Sequence, residues 1–133
     1  MRSDGREWIV DARGCDPESL VSLAVLRALL DRAIAELALR RVREPVWHVF
    51  PPPGGITGLC LLAESHLTVH TFPEHGALCL NLFCCTPRPE WEFAVRLREA
   101  VGASHVDVRR VDRSYAGVSD AHGGPAVAAA QPT

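Results

Sequence analysis

Ala63-Glu64-Ser65-His66-Leu67-Thr68-Val69-His70-Thr71-Phe72-Pro73-Glu74-His75-Gly76-Ala77-Leu78-Cys79-Leu80-Asn81-Leu82-Phe83-Cys84-Cys85 is the stretch that decides the fold. Leu67 to Thr71 is β-branched and reads as a strand. Phe72-Pro73-Glu74-His75-Gly76 is turn sequence, and Ala77 to Cys84 returns as a second strand. The two form a hairpin. Into it are packed Glu64, Ser65, His66, His70, Glu74, His75, Cys79, Cys84 and Cys85. A nucleophile, bases and thiols concentrated on strand sequence point to chemistry.

Upstream, Ile56 to Ala63 is a nearly continuous apolar strand, and Pro51-Pro52-Pro53-Gly54-Gly55 before it excludes regular structure. Glu44-Pro45 opens another strand, Val46 to Phe50. Near the amino end, Glu7 to Ala12 reads as a short strand with Trp8 and Val10 on one face and Ile9 on the other. Asp16-Pro17-Glu18 is a helix start: a capping acceptor, proline at the first helical position, an acid in the first turn. Leu20, Leu23, Leu30, Ile34 and Leu37 follow at helical spacing, and the pattern predicts one helix ending near Arg40-Arg41. Downstream, Pro87-Arg88-Pro89-Glu90 predicts a second helix, with Trp91, Ala94, Leu97 and Val101 on one face and Gly102 as its stop. His105 to Val111 alternates into a last strand.

Hairpin-linked strands with two helices predict an α+β fold. It is a two-layer α/β sandwich, a mostly antiparallel sheet with both helices on one face. The other face then needs cover, for example from a partner subunit. A chain of 133 residues fits one domain, taken as residues 1–113, and the Ala-, Gly- and Pro-rich 114–133 reads as a flexible tail.

Composition narrows the function. Apolar residues make up 47% and charged residues 23%, an ordinary globular balance. A net charge of −2 without a basic stripe argues against nucleic acid. Arg27, Asp31, Arg32 and Glu36 interrupt the longest apolar helical run, so no membrane span is expected. Met1 to Glu7 lacks the apolar core of a signal peptide. Five cysteines without a Cys-x-x-Cys read as reduced thiols, which predicts a cytoplasmic protein.

The motif residues have plain readings too. A strand serine is usually a hydroxyl facing a neighbour, and no Gly-x-Ser-x-Gly elbow supports a serine hydrolase. His66 and His70 would share a helix face and could bind zinc there, but in a strand they stand about 13 Å apart, too far for one metal. No metal site is assigned. Cys84 and Cys85 are adjacent, so in a strand they point to opposite faces. A single buried cysteine is usually a small hydrophobe.

Together, Glu64-Ser65-His66-Leu67-Thr68-Val69-His70-Thr71-Phe72-Pro73-Glu74 followed by Phe83-Cys84-Cys85 closely resembles the self-processing segment of prokaryotic S-adenosylmethionine decarboxylase proenzymes. Phe50-Pro51, Gly55-Ile56-Thr57-Gly58, Gly5-Arg6 and Gly14-Cys15-Asp16 fit the same family, and the resemblance spans about residues 5 to 113. It implies a pyruvoyl enzyme. Ser65 would attack the Glu64 carbonyl, the amide would become an ester, and elimination would cut the chain between Glu64 and Ser65. Ser65 would become the pyruvoyl group. His70 and Thr57 would assist processing, and Cys85 would return a proton to the decarboxylated carbon. Glu74 would hold the ribose hydroxyls, with Phe50 and Phe72 beside the adenine. The catalytic set so implied is Ser65, His70 and Cys85, in a homodimer of cleaved protomers.

The chemistry suits these residue types. Loss of carbon dioxide from an α-amino acid leaves a carbanion, and a ketone that forms a Schiff base is an electron sink for it. A weak acid such as a thiol can then return the proton. Aromatic faces suit a sulfonium and a nucleobase. The product would be an aminopropyl donor for spermidine and other polyamines. Period-two counting puts Ser65 and His70 on opposite faces, which predicts a bulge or local turn between them. Three residues depart from the family pattern: Cys84 where threonine is common, Asn81 where an acid is common, and Phe72 where tryptophan is common. The alternatives are a pyruvoyl decarboxylase of free arginine or ornithine, a non-enzymatic nucleoside-binding relative, and a zinc module.

Overall fold

The computed structural model describes residues 4–115. Six strands and three helices follow one another: β1 (Asp4–Arg13), α1 (Pro17–Leu20), α2 (Leu23–Glu36), β2 (Val46–Val49), β3 (Ile56–Leu62), β4 (Ser65–Phe72), β5 (Ala77–Cys84), α3 (Phe93–Val101) and β6 (His105–Ser114). A single 3₁₀ turn, Pro73–His75, joins β4 to β5, and Gly76 closes it with a left-handed φ of 61°. The sheet order is β2-β3-β4-β5-β1-β6 and every pairing is antiparallel. The expected hairpin, β4 with β5, therefore lies at the centre of the sheet.

Alternation sorts the two faces. Leu67, Val69 and Thr71 of β4 and Leu78, Leu80, Leu82 and Cys84 of β5 are buried, with Trp8, Val10 and Ala12 of β1 beside them. Leu20, Leu26, Leu30, Phe93 and Leu97 from the helices complete this core. Each fully buried side chain of this size contributes about 1.5–3 kcal/mol relative to leaving it in water. Thr71, with Ser65 one of the two buried polar residues among those described, has its hydroxyl fully used. It donates to the Leu20 carbonyl at 2.8 Å and accepts from the Ile56 N–H at 2.9 Å, tying β4 to α1 and β3. The opposite face is different. Val46, Leu59, Leu61 and Val111 are each at least 40% exposed there, beside ion pairs such as Arg109–Asp11 and Arg113–Glu7, so among the described residues one face of the sheet is open. The architecture is the two-layer α+β sandwich expected from the sequence.

The helices depart from expectation in detail. The first predicted helix divides in two at Val21-Ser22. Ser22 is extended, and its Oγ accepts the Val25 N–H at 3.2 Å, so it starts a new helix. Serine inside an apolar periodic run was read through as helix, but its side chain competes for backbone donors. The helix also stops at Glu36, not at Arg40-Arg41. Ala38 takes a left-handed φ of 55°, the Ala38 N–H reaches the Ala35 carbonyl and the Leu39 N–H reaches the Ile34 carbonyl. That is a Schellman ending with alanine at the position that usually holds glycine. Leu39 is then free to bury. Ala38→Gly is expected to stabilise the fold by about 1 kcal/mol by relieving the Cβ penalty, a rise of several degrees in thermal melting.

The last helix begins at Phe93, later than Pro87-Glu90 predicted. Trp91 is drawn into the core instead. Its indole N–H donates to Glu36 Oε1 at 2.7 Å. Arg32, Trp91 and Arg96 together hold the Glu36 carboxyl down to about 2. This tertiary anchor outweighs the local start signal. Gly102, with φ 69°, ends the helix as expected.

The bulge predicted in β4 is absent. Its pairing with β3 runs unbroken from Leu62↔Ser65 to Thr57↔His70, and with β5 from Ser65↔Cys84 to Phe72↔Ala77. Ser65 and His70 therefore do stand on opposite faces of one regular strand. β6 runs on through Ser114, and the rest of the predicted tail, from residue 116, lies outside the described residues. No helix among the described residues is long and apolar enough to cross a membrane.

Candidate active site

Two groups of functional side chains occupy opposite ends and opposite faces of β4. The first gathers at the hairpin between β3 and β4. Leu62 pairs with Ser65, so Ala63 and Glu64 form a two-residue turn. The Ala63 N–H donates to the Arg40 carbonyl at 2.8 Å and fixes the turn against the segment after α2. Ser65 opens β4 and is 7% exposed, facing the core beside Cys84, its register partner. Ser65 Oγ is buried with no hydrogen-bond partner. An orphaned buried hydroxyl costs about 1–3 kcal/mol, so its retention needs a reason other than stability. The carbonyl of Glu64, directly before it, accepts the Cys85 N–H at 2.8 Å.

Cationic groups surround the same turn. Arg40 donates to one carboxylate oxygen of Glu64, and Arg88 Nη2 lies 3.8 Å from the other. Arg40 above all, with Arg88 adding to it, holds the Glu64 carboxyl below the usual carboxylate range. Burial pushes the Cys84 thiol up, opposed above all by the Arg88 charge. Cys85, one residue past β5, is half-buried. Its carbonyl accepts from the Tyr115 hydroxyl. Gly5 passes so close that a Cβ there would collide with the Cys84 carbonyl and the Tyr115 hydroxyl.

The second group stands on the open face. Thr57 and His70 are cross-strand partners, and Thr57 Oγ1 and His70 Nδ1 share a hydrogen bond of 2.9 Å. Phe72 stacks on the His70 ring with centroids 4.4 Å apart, and Phe50 stands 5.8 Å away, itself in edge contact with His48 at 4.5 Å. Phe50, the proline run Pro51 to Pro53, His70, Phe72 and Glu74 line a cleft of about 330 Å³. That size accommodates a small organic ligand. Among the described residues no group of three or more His, Cys, Asp or Glu side chains is arranged to hold a metal ion.

Thus Thr57, His70, Phe50, Phe72 and Glu74 come together, and Glu64, Ser65 and Cys85 come together. The two groups do not meet within one chain. Five residue steps of extended strand separate Ser65 from His70, about 17 Å along β4.

Comparison with known proteins bears on this arrangement. Residues 6–114 match the family model described as S-adenosylmethionine decarboxylase. The chain belongs to the S-adenosylmethionine decarboxylase family. It is 36% identical over 117 residues to the S-adenosylmethionine decarboxylase proenzyme of Caldicellulosiruptor saccharolyticus, covering 85% of this chain and 90% of that one. It is 35% identical to S-adenosylmethionine decarboxylase proenzyme 2 of Halalkalibacterium halodurans, covering 85% and 88%. Among solved structures, the adenosylmethionine decarboxylase of Aquifex aeolicus superposes with a TM-score of 0.70 at 24% identity, covering 90% of this chain and 97% of that one. That likeness establishes the fold.

Sequence reading missed part of the site in this member of the family. The sequence pattern makes Arg40 a cation at a helix end and Arg88 part of a helix start. Both instead reach Glu64. The backbone N–H of Cys85 and the hydroxyl of Tyr115 carried no sequence signal at all, because their roles depend on strand register and on where β6 ends.

Proposed function

We propose that the chain cleaves itself between Glu64 and Ser65 and then decarboxylates S-adenosylmethionine, giving an aminopropyl donor for polyamine synthesis in the cytoplasm. Family membership carries the decarboxylase activity. The single observation behind self-cleavage is the Glu64-Ser65 turn, where a buried, unpartnered hydroxyl follows a carbonyl polarised by an N–H donor. The residues present fit a pyruvoyl group made from Ser65. That group supplies an electron sink for the carbanion left when carbon dioxide departs.

The chain's own residues do the rest. The Cys85 N–H withdraws electron density from the Glu64 carbonyl as Ser65 Oγ approaches. His70, oriented by Thr57 and packed against Phe72, is the base and acid for processing. The Cys85 thiol holds the proton that the decarboxylated carbon takes up. Phe50 and Phe72 give π faces to the adenine, and Glu74 pairs with the ribose hydroxyls. Freshly made protein should convert to chains of 64 and 69 residues, the larger resistant to Edman sequencing because its amino end is a ketone. Processed protein should release carbon dioxide from S-adenosylmethionine and not from arginine, ornithine or lysine. A single full-length mass in active protein would falsify the self-cleavage reading.

The separation of the two groups supports a homodimer. The open sheet face, with Val46, Leu59 and Leu61 exposed on β2 and β3, is a surface a second copy can cover, bringing its Thr57–His70 pair toward the end of the sheet that carries the Glu64-Ser65 turn of the first. Co-expression tests this. His70→Ala and Ser65→Ala chains should each stay whole alone. Expressed together with distinguishable tags, the His70→Ala chain should be cleaved by the histidine of its Ser65→Ala neighbour. If it stays whole in isolated mixed dimers, His70 acts within its own chain.

A further inference from the structure

The residue before the cut is held more elaborately than a spectator needs. Glu64 Oε1 is buried without a hydrogen-bond partner, and so is Arg88 Nε. A buried acceptor on Glu64 and a buried donor on Arg88 are thus left open on two side chains that approach to 3.8 Å at Glu64 Oε1 and Arg88 Nη2. Orphans of this kind are rare in native proteins and each has a cost. Arg40 binds the other oxygen of Glu64, and its own carbonyl takes the Ala63 N–H at 2.8 Å. Arg40 therefore grips the turn by both side chain and backbone. The Arg40 side chain is 73% exposed, whereas that of Arg88 is 23% exposed, so Arg88 is the better shielded charge.

The charge count changes when the chain is cut. Before cleavage, two guanidinium groups face one carboxylate. In the reaction proposed above, Ser65 Oγ bonds to the Glu64 carbonyl carbon, the C–N bond breaks, and the hydroxyl proton passes to the freed amine. A base then takes the Ser65 Cα proton and the Cβ–Oγ bond breaks. Its electron pair stays on oxygen, so Glu64 leaves as a free α-carboxylate. The amine-bearing alkene left at Ser65 tautomerises, and water hydrolyses it to the ketone and ammonia. After cleavage Glu64 carries two carboxylates against the same two guanidinium groups.

We propose that Arg88, assisted by Arg40, is a positioning residue for self-cleavage: it fixes the turn through the Glu64 side chain, and its open Nε–H receives the carboxylate that departs from Ser65. The inference rests on the self-cleavage reading above. It deepens that reading by naming what stabilises the leaving group and what retains the new chain end in the processed protein.

The test uses full-length protein made by cell-free synthesis at low temperature and followed by intact mass over time. Arg88→Gln, neutral and similar in length, should slow cleavage by at least about tenfold, the loss of one charge-assisted hydrogen bond. Arg88→Lys should recover much of that rate, a rescue that a packing role would not give. Arg40→Gln should slow cleavage less, because its charge is already screened by water. Glu64→Gln asks the same question from the other side and should also be slow. It serves if Arg88→Gln fails to show a cooperative melt. After processing, the new carboxyl end at Glu64 should resist carboxypeptidase in wild type and be trimmed faster in Arg40→Gln/Arg88→Gln, read by intact mass. Cleavage of Arg88→Gln or Glu64→Gln at the wild-type rate overturns the inference while leaving self-cleavage intact. Wild-type protein that never cleaves overturns the reading beneath it, and this inference with it.

Discussion

Ser65→Ala is expected to remain one chain of 133 residues and to release no carbon dioxide from S-adenosylmethionine, while melting at or above the wild-type temperature. The combination is the informative part. Most buried polar side chains contribute to stability through their partners, and removing them costs about 1–3 kcal/mol. Ser65 Oγ has no partner, so its removal relieves an unsatisfied group and leaves only a small void. The Glu64 carbonyl keeps its bond from the Cys85 N–H, and the register Leu62↔Ser65 is a backbone property. Processing, in contrast, loses its nucleophile outright. Intact mass, thermal melting and carbon dioxide release measure the three outcomes on one preparation. Cleavage of Ser65→Ala at the same bond would mean that another group attacks it. A melt several degrees lower would mean that the hydroxyl has a structural partner after all.

The hairpin at the sheet centre was legible because its signals are local. Period-two alternation, the Pro73–Gly76 turn and β-branched residues at 68, 69 and 71 all agree with the strand geometry found. The division of the first helix was not, although Ser22 carried the clue. An isolated serine in an apolar run looks tolerable until its hydroxyl is seen to cap Val25. The late start of α3 depends on Trp91 reaching Glu36, a contact between residues 55 positions apart that no local pattern reveals. The candidate site divides the same way. Ser65, His70, Thr57, Cys85, Phe50, Phe72 and Glu74 could be named because a long motif fixes them together. Arg40, Arg88 and the Cys85 N–H could not, since each is recruited by the fold rather than by spacing. The bulge is the instructive error. A bulge or local turn would bring Ser65 and His70 to one face of the strand, but β4 pairs regularly on both sides and the two residues stay on opposite faces.

The adjacent thiols give the second large effect. Cys85→Ala should still process, at least in part, and then turn over poorly and die during turnover. Cys84→Ala should keep turning over at a modest cost in stability, about 1 kcal/mol. Cys84 is fully buried, stands in register with Ser65 on the core face, and has its thiol pushed up by burial. A thiol sealed into the core has no route to exchange its proton with solvent between cycles. Cys85 lies past the strand end and is half-buried, which gives it that route. Its backbone N–H, the donor to the Glu64 carbonyl, survives in Cys85→Ala, and this is why cleavage persists when turnover fails. Without a correctly placed proton donor, a proton reaches the wrong carbon, the ketone end of the larger chain keeps the substrate's nitrogen as an amine, and water releases the rest of the decarboxylated substrate as an aldehyde. Edman sequencing then reads a chain end that was closed in fresh enzyme, and the fraction it reads should grow with the number of turnovers. If Cys84→Ala dies in this way and Cys85→Ala does not, the proton donor is Cys84.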